Sequence, residues 1–434
     1  MVSRRTVRFW WVFFIVGTAI VSGPVWPKQV GGASPAQEAE LPVEKSPSTP
    51  QGIEKVSGQE VVMPDDVRLG LEDLNNAFAS GSSRRIGRKF SMEAMFESLQ
   101  ERKLIPALEA AELSQLRERM EVAMRSKYRN FSELAWTHVK WTRFERLDDQ
   151  RVVVLGRHYD ANELSTSVRW WLKREADEWK VYDLEILDLN LRFSTLAGVG
   201  FSVAGKQLES MSAFQEISSA AEMLNSGMLD EADLEQLIEN ADLVLEDEFP
   251  DDIKRFALLL RAVALAQLDD ATAALEDLEQ LEKMPGESPI LYRLRGEIFA
   301  SQERHAAAIE SFQKLGELLG YDVGIHEALS DIFLDWGKSE QAADQARLGL
   351  KDMPESVGCL ASLAAALPAS KVAELEPLFK DHDYDEYVLA TVIEWCVEAD
   401  RLAGAKFAYQ ILKKHHPNSD LVQEWGEDLD SVDD

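Results

Sequence analysis

The densest group of metal-ligating side chains in this 434-residue chain is Asp381-His382-Asp383-Tyr384-Asp385. Three carboxylates and an imidazole within five residues supply the oxygen and nitrogen donors that a divalent cation takes. The same residues also make an ordinary polar loop between two helical stretches, and that reading is preferred. His415-His416-Pro417 brings two further imidazoles, but they close a helical pattern, where His and Lys complement the negative end of the helix dipole. Cys359 and Cys396 lie inside apolar helical patterns and read as small buried hydrophobes. Spacing alone does not show whether the two could be bridged. No phosphate loop, dinucleotide fingerprint, nucleophile elbow or zinc-type Cys/His spacing occurs. No cofactor, no metal and no enzymatic activity are expected.

One region could still house a pocket. Trp136, His138, Trp141, His158, Trp170, Trp171, Trp179 and Tyr182 fall in the segments 135–147, 151–159, 165–174 and 179–187. These segments are rich in Val, Trp, Thr and Tyr and are separated by polar turns, the pattern of strands. Asp183 or His158 could act as a base if both faced one cavity. Alternation in a single sequence does not show that, and tryptophans on strands more often build core. Ahead of the strands, Leu69, Leu71, Leu74 and Phe78 recur at helical spacing, as do Met92, Met95, Phe96 and Leu99, and 108–124 reads as a longer helix. Three helices followed by four strands in meander order predict an α+β domain, with helices on one face of a curved antiparallel sheet.

The segment EWKVYDLEILDLNLRFS, residues 178–194, resembles the final strand of nuclear transport factor 2-like domains. It also looks like the corresponding strand of periplasmic phospholipid-carrier proteins of related shape. The resemblance covers 65–205 and rests on this one strand. It implies a cone-like fold whose concave face often holds ligands, and in enzymes a pocket carboxylate or a His–Asp pair.

The chain begins with Arg4, Arg5 and Arg8 ahead of an uncharged run from Phe9 to Pro27. That run is compatible with an uncleaved anchor or with a signal peptide; a twin-arginine signal fits less well. Under either main reading, the residues beyond Lys28 lie outside the cytoplasm, in the periplasm or secreted. Residues 28–63 hold four prolines and no apolar period, and read as a disordered tether reaching roughly 30–35 Å. Net charge is −31, yet 1–205 carry 28 basic and 28 acidic residues, so the whole excess lies in 206–434. Nucleic acid is a poor partner for such a chain, and a division into two surfaces is implied.

Beyond Lys206 helical pairs take over. Three 34-residue windows starting at Arg255, Pro289 and Val323 superpose without gaps. Position 8 holds Ala262, Gly296 and Ser330, and position 20 holds Ala274, Ala308 and Ala342. Position 32 holds Gly286, Gly320 and Pro354, and a further copy fits 386–419. This pattern is similar to that of tetratricopeptide repeats, or TPRs: small residues let paired helices approach, and larger ones fill the gap to the next pair. Ala346 and His326 depart from the usual large positions. The expected boundaries are an anchor or signal over 1–27, a linker over 28–63 and an α+β domain over 64–205. A degenerate opening hairpin over 206–250, an all-α TPR solenoid over 251–419 and an acidic tail over 420–434 follow.

In the TPR family, first-helix positions 2, 5, 9, 12 and 13 line the concave face. The resemblance therefore puts Glu297, Glu327, Asp331, Asp335, Glu394 and Glu398 in a groove, with Phe256 and Leu259 as an apolar seat. The Lys, Arg and Asn clamp with which chaperone-binding members hold a C-terminal carboxylate is replaced by acids. The expected partner is a protein with a basic or amphipathic segment. A solvated acidic face would carry the same residues. The expected function is a membrane-anchored extracytoplasmic scaffold; the alternative is a periplasmic carrier or sensor of a lipid or small apolar ligand in the α+β domain.

Overall fold

Two acids in the first turn, Asp65 and Asp66, sit at the positive end of helix α1 (Asp65–Ala79). Its buried stripe is Val67, Leu71, Leu74, Ala77 and Phe78; Leu69, expected on that stripe, is exposed. A short helix that the sequence pattern does not announce follows, α2 (Ser83–Arg88), pinned by buried Ile86. Helix α3 (Met92–Glu101) starts at Ser91, whose Oγ accepts from the Ala94 amide at 3.1 Å, and buries Met92, Met95, Phe96 and Leu99. This computed structural model describes residues 62–102, 104–105, 111, 113–115, 117–118, 121–122, 131–132, 134–159, 165–187, 191–195, 212–220 and 229–429. The candidate anchor, nearly all of the linker and much of 108–124 lie outside them. Among the described residues no helix is long and apolar enough to cross a membrane.

The expected meander is present. Strands β1 (His138–Arg146), β2 (Arg151–Tyr159), β3 (Ser165–Glu175) and β4 (Glu178–Ile186) pair antiparallel in sequence order, and a two-residue β5 (Leu191–Arg192) is added at the edge. Register places Val154 opposite Trp170, and Trp170 opposite Leu184, so one face carries an apolar row. Bulges at Trp141/Arg143 and Trp171/Leu172 shift the pairing. Phe78, Phe90, Phe131, Trp136, Trp170 and Phe193 join in one core against that face, with neighbouring centroids from 5.4 to 6.3 Å apart.

The chain divides into two compact units, Met1–Leu268 and Asp269–Asp434. The first also contains α4 (Glu231–Glu246) and α5 (Asp251–Gln267), which pack on each other and share the sheet's core through Leu237, Ile253 and Phe256. The 34-residue window starting at Arg255 therefore falls across the division.

The second unit is helical and repeat-like. It contains α6 (Ala271–Lys283), α7 (Pro289–Ser301), α8 (His305–Leu319), α9 (Val323–Asp335), α10 (Ser339–Asp352) and α11 (Val357–Ala366). After a 3₁₀ turn come α12 (Glu376–Asp381), α13 (Glu386–Glu398), α14 (Leu402–His415) and α15 (Asp420–Leu429). Helices α7–α8, α9–α10 and α13–α14 pack as pairs. The pair contact has the expected chemistry: Ser330 Oγ donates to the Ala342 carbonyl at 2.9 Å, joining position 8 to position 20, and both residues are fully buried. A Cβ at Gly296 would lie 2.6 Å from the Phe312 ring, so no larger residue fits there as the helices stand. Residues 420–429 depart from the expected acidic tail. They form α15, whose Leu421, Val422 and Trp425 pack into the core of this unit.

Candidate functional site

Helix α9 begins at Asp322, whose carboxylate accepts from the Ile325 amide at 2.8 Å. The inner stripe Val323, Ile325, Leu329, Ser330 and Ile332 is buried, so Glu327, Asp331 and Asp335 recur every four residues along another face. Like charges at this spacing oppose helix formation, and Asp335 stands at the negative end of the dipole. Helix α11 runs alongside, and its small residues make room for the acids. A side chain at Gly358 would collide with the Glu327 carboxylate. Ser362, fully buried, donates from Oγ to Asp331 Oδ1 at 2.7 Å.

These surroundings change the acid chemistry. Burial pushes the Asp331 carboxyl up to about 7; the Ser362 hydroxyl opposes that rise, and Glu327 and Asp335 add to it. Among the described residues no guanidinium or ammonium is a cause of the shift. Asp331 thus titrates near neutrality, in a place a cation from outside would stabilise.

The other expected groove acids are arranged differently. Glu297 on α7 accepts from Arg293 Nε on the same helix at 3.0 Å and is largely neutralised there. Glu394 and Glu398 are exposed on α13, in one stripe with Tyr387, which is 74% exposed. Helix α11 packs on both α9 and α13, so the two acidic stripes belong to helices flanking a shared neighbour. Phe256 and Leu259 offer no apolar seat: both are buried, with Phe256 in the core of the first unit. The apolar stripe of α5 is consumed by packing. Sequence reading missed Ser362, Gly358 and Tyr387. Only Tyr387 had a signal, since it occupies position 2 of the copy starting at Glu386.

Several of the remaining chemistry-bearing residues have structural partners. Asp385 caps α13 by accepting from the Val388 amide at 3.1 Å, and Asp383 and Tyr384 take left-handed backbone angles in the loop before it. Tyr384 stacks on His415 at 3.8 Å and its carbonyl meets His416 Nε2 at 2.7 Å. Among the described residues no group of three or more His, Cys, Asp or Glu is placed to hold a metal ion. Cys359 and Cys396 are buried thiols not joined in a disulfide, and burial pushes the Cys396 thiol up to about 12.

On the sheet, His158 accepts at Nε2 from Trp170 Nε1–H at 2.9 Å, with Trp136 and Trp141 at 4.3 and 5.5 Å. Burial pushes its pKa down to about 3, so it stays neutral. Asp183 projects elsewhere. Fully buried, it accepts from the Leu184 and Ser194 amides at 3.0 Å each, from Ser194 Oγ and from Arg192. Its acceptor sites are filled, and Arg102 ties this knot to Asp252 of α5. The two candidate bases, Asp183 and His158, therefore do not face one cavity. No protein-family model matches the chain, and no curated protein matches it.

Proposed function

We propose that the protein is a membrane-anchored extracytoplasmic scaffold, whose second unit is a TPR-type solenoid that holds a basic or amphipathic segment of a protein partner along the acids of α9 and α13. One observation carries this reading: Glu327, Asp331 and Asp335 are stacked on one helix face, with Asp331 half-buried and its carboxyl raised to about 7. Such an arrangement opposes helix formation, and a site that breaks local rules is where function is sought. The bond between Ser330 and Ala342, and the buried alanines at position 20, support the TPR assignment. In that geometry the first helices of successive pairs share an inner wall, which would put both acidic stripes in one groove. Tyr387 adds an exposed ring suited to stacking on an arginine.

The membrane-proximal α+β unit, nuclear transport factor 2-like in this reading, acts as a docking module. The packed rings of Phe78, Phe131, Trp136 and Trp170 fill its helix-covered face and favour that role over carriage of an apolar ligand. The test is partner capture from detergent-solubilised membranes, with wild type and with Glu327→Lys/Asp335→Lys. Capture should weaken steeply as salt rises and be lost in the charge-reversed protein. Capture that is equal in both proteins and insensitive to salt would remove the groove from the account.

A further inference from the structure

Helix α2 buries a single side chain, Ile86, and exposes Arg84, Arg85 and Arg88. Among the described residues none of these three guanidinium groups lies within ion-pair distance of a carboxylate, although the chain has 77 acids. Neighbouring cations are treated otherwise. Arg68 pairs with Asp65 and Glu72 at 2.8 and 3.0 Å, Lys89 with Asp73 at 3.2 Å, and Lys173 with Glu97 at 2.6 Å. Arg84 and Arg88, four residues apart, repel each other on a helix only six residues long.

Arg84 and Arg88 also line an open cleft of about 680 Å³. Its acids are engaged: Glu175 accepts from Ser91 and from Lys180, Glu93 lies 3.7 Å from Arg117, and Glu121 has a partner of its own. The charge left facing outward is positive.

We infer that this arginine face docks on the phosphate headgroups of anionic lipids in the bilayer to which the chain is tethered. The inference rests on the membrane-anchored reading above. Guanidinium groups pair with phosphate oxygens in a planar, two-pronged geometry. The thirty-six residues 28–63, read from the sequence as a tether, would span roughly 30–35 Å, against a length of about 22 Å for the fifteen residues of α1. The patch beyond α1 can thus lie on the bilayer while the linker joins at the other end, and tethering keeps that surface at high effective concentration. A soluble acidic partner would lack this standing proximity. Each arginine near an anionic surface raises occupancy roughly fivefold, so three give on the order of a hundredfold.

The test uses the full chain reconstituted into discs of phosphatidylcholine alone and into discs enriched in phosphatidylglycerol, read by hydrogen exchange. Amides of residues 83–92 should exchange about tenfold or more slowly in the anionic discs than in the neutral ones. High salt, or the variant Arg84→Gln/Arg85→Gln/Arg88→Gln, should abolish the difference. Equal exchange in both discs would overturn the inference while leaving the anchor intact. A chain that washes off neutral discs refutes the anchor instead. The α2 contact then stands only if wild type, and not the triple variant, stays on anionic discs at low salt.

Discussion

Replacing Asp331 with Asn removes a charge that the second unit holds at a cost, and the size of that cost can be worked out. The carboxyl is raised from 3.8 to about 7, first by burial. At about 1.4 kcal/mol per unit this gives an upper bound of roughly 4 kcal/mol. Asp331 is only half-buried, so solvent screening makes about 2 kcal/mol the realistic figure. The sign follows from proton counts. Between pH 3.8 and about 7 the folded state binds more protons than the unfolded state, so stability falls as pH rises through that window. Asparagine keeps an acceptor for the Ser362 hydroxyl and has no such titration. Hydrogen exchange across α9 and α11 in rising urea should show Asp331→Asn matching wild type near pH 3.5 and exceeding it by ~2 kcal/mol above pH 7. A variant no more stable than wild type at pH 8, or a gap that does not change with pH, would refute the reasoning. The same substitution should weaken partner binding.

Three further outcomes are expected. His158 is held neutral by burial, with a folded pKa of about 3 against an ordinary 6.5. Its contribution is complete above pH 6.5 and is lost as pH falls toward 3, by ~2 kcal/mol at pH 5; tryptophan fluorescence in urea should show a flatter acid limb in His158→Gln. Gly404→Ala would put a methyl 2.5 Å from the Ala364 carbonyl oxygen, whereas at Gly324 the nearest atom is 3.7 Å away. Thermal melts should show the first losing about 1–3 kcal/mol or more and the second unchanged or stabilised by up to ~1 kcal/mol. Asp183→Asn removes the buried carboxylate that pairs directly with Arg192 and should destabilise the first unit by ~3–5 kcal/mol in urea unfolding.

How far the sequence could be read depends on the physics at each point. The strands and the major helices were legible because period 2 and period 3.6 follow directly from which faces are buried, as in β2 and α3. Positions 8 and 20 were legible because only small side chains fit there, and Ser330 against Ala342 shows the contact. Helix α2 was not, since one buried isoleucine sets no period. Helix α15 was hidden by its acids, although Leu421, Val422 and Trp425 are apolar. The role of Phe256 and Leu259 was misjudged because a pattern of apolar residues does not say which neighbour covers them. Asp331 stood out only as one acid among many; its carboxyl is raised by burial where α11 packs against α9, a juxtaposition no local pattern encodes.

Zero-length carbodiimide crosslinking on intact membranes interrogates the groove itself, because it joins a carboxylate only to an amine already in contact. The account predicts lysines of one partner protein joined to Glu327, Asp335, Glu394 or Glu398, with yields that fall as salt rises. Crosslinks that avoid these four carboxylates, while appearing on acids elsewhere in the second unit, would contradict it.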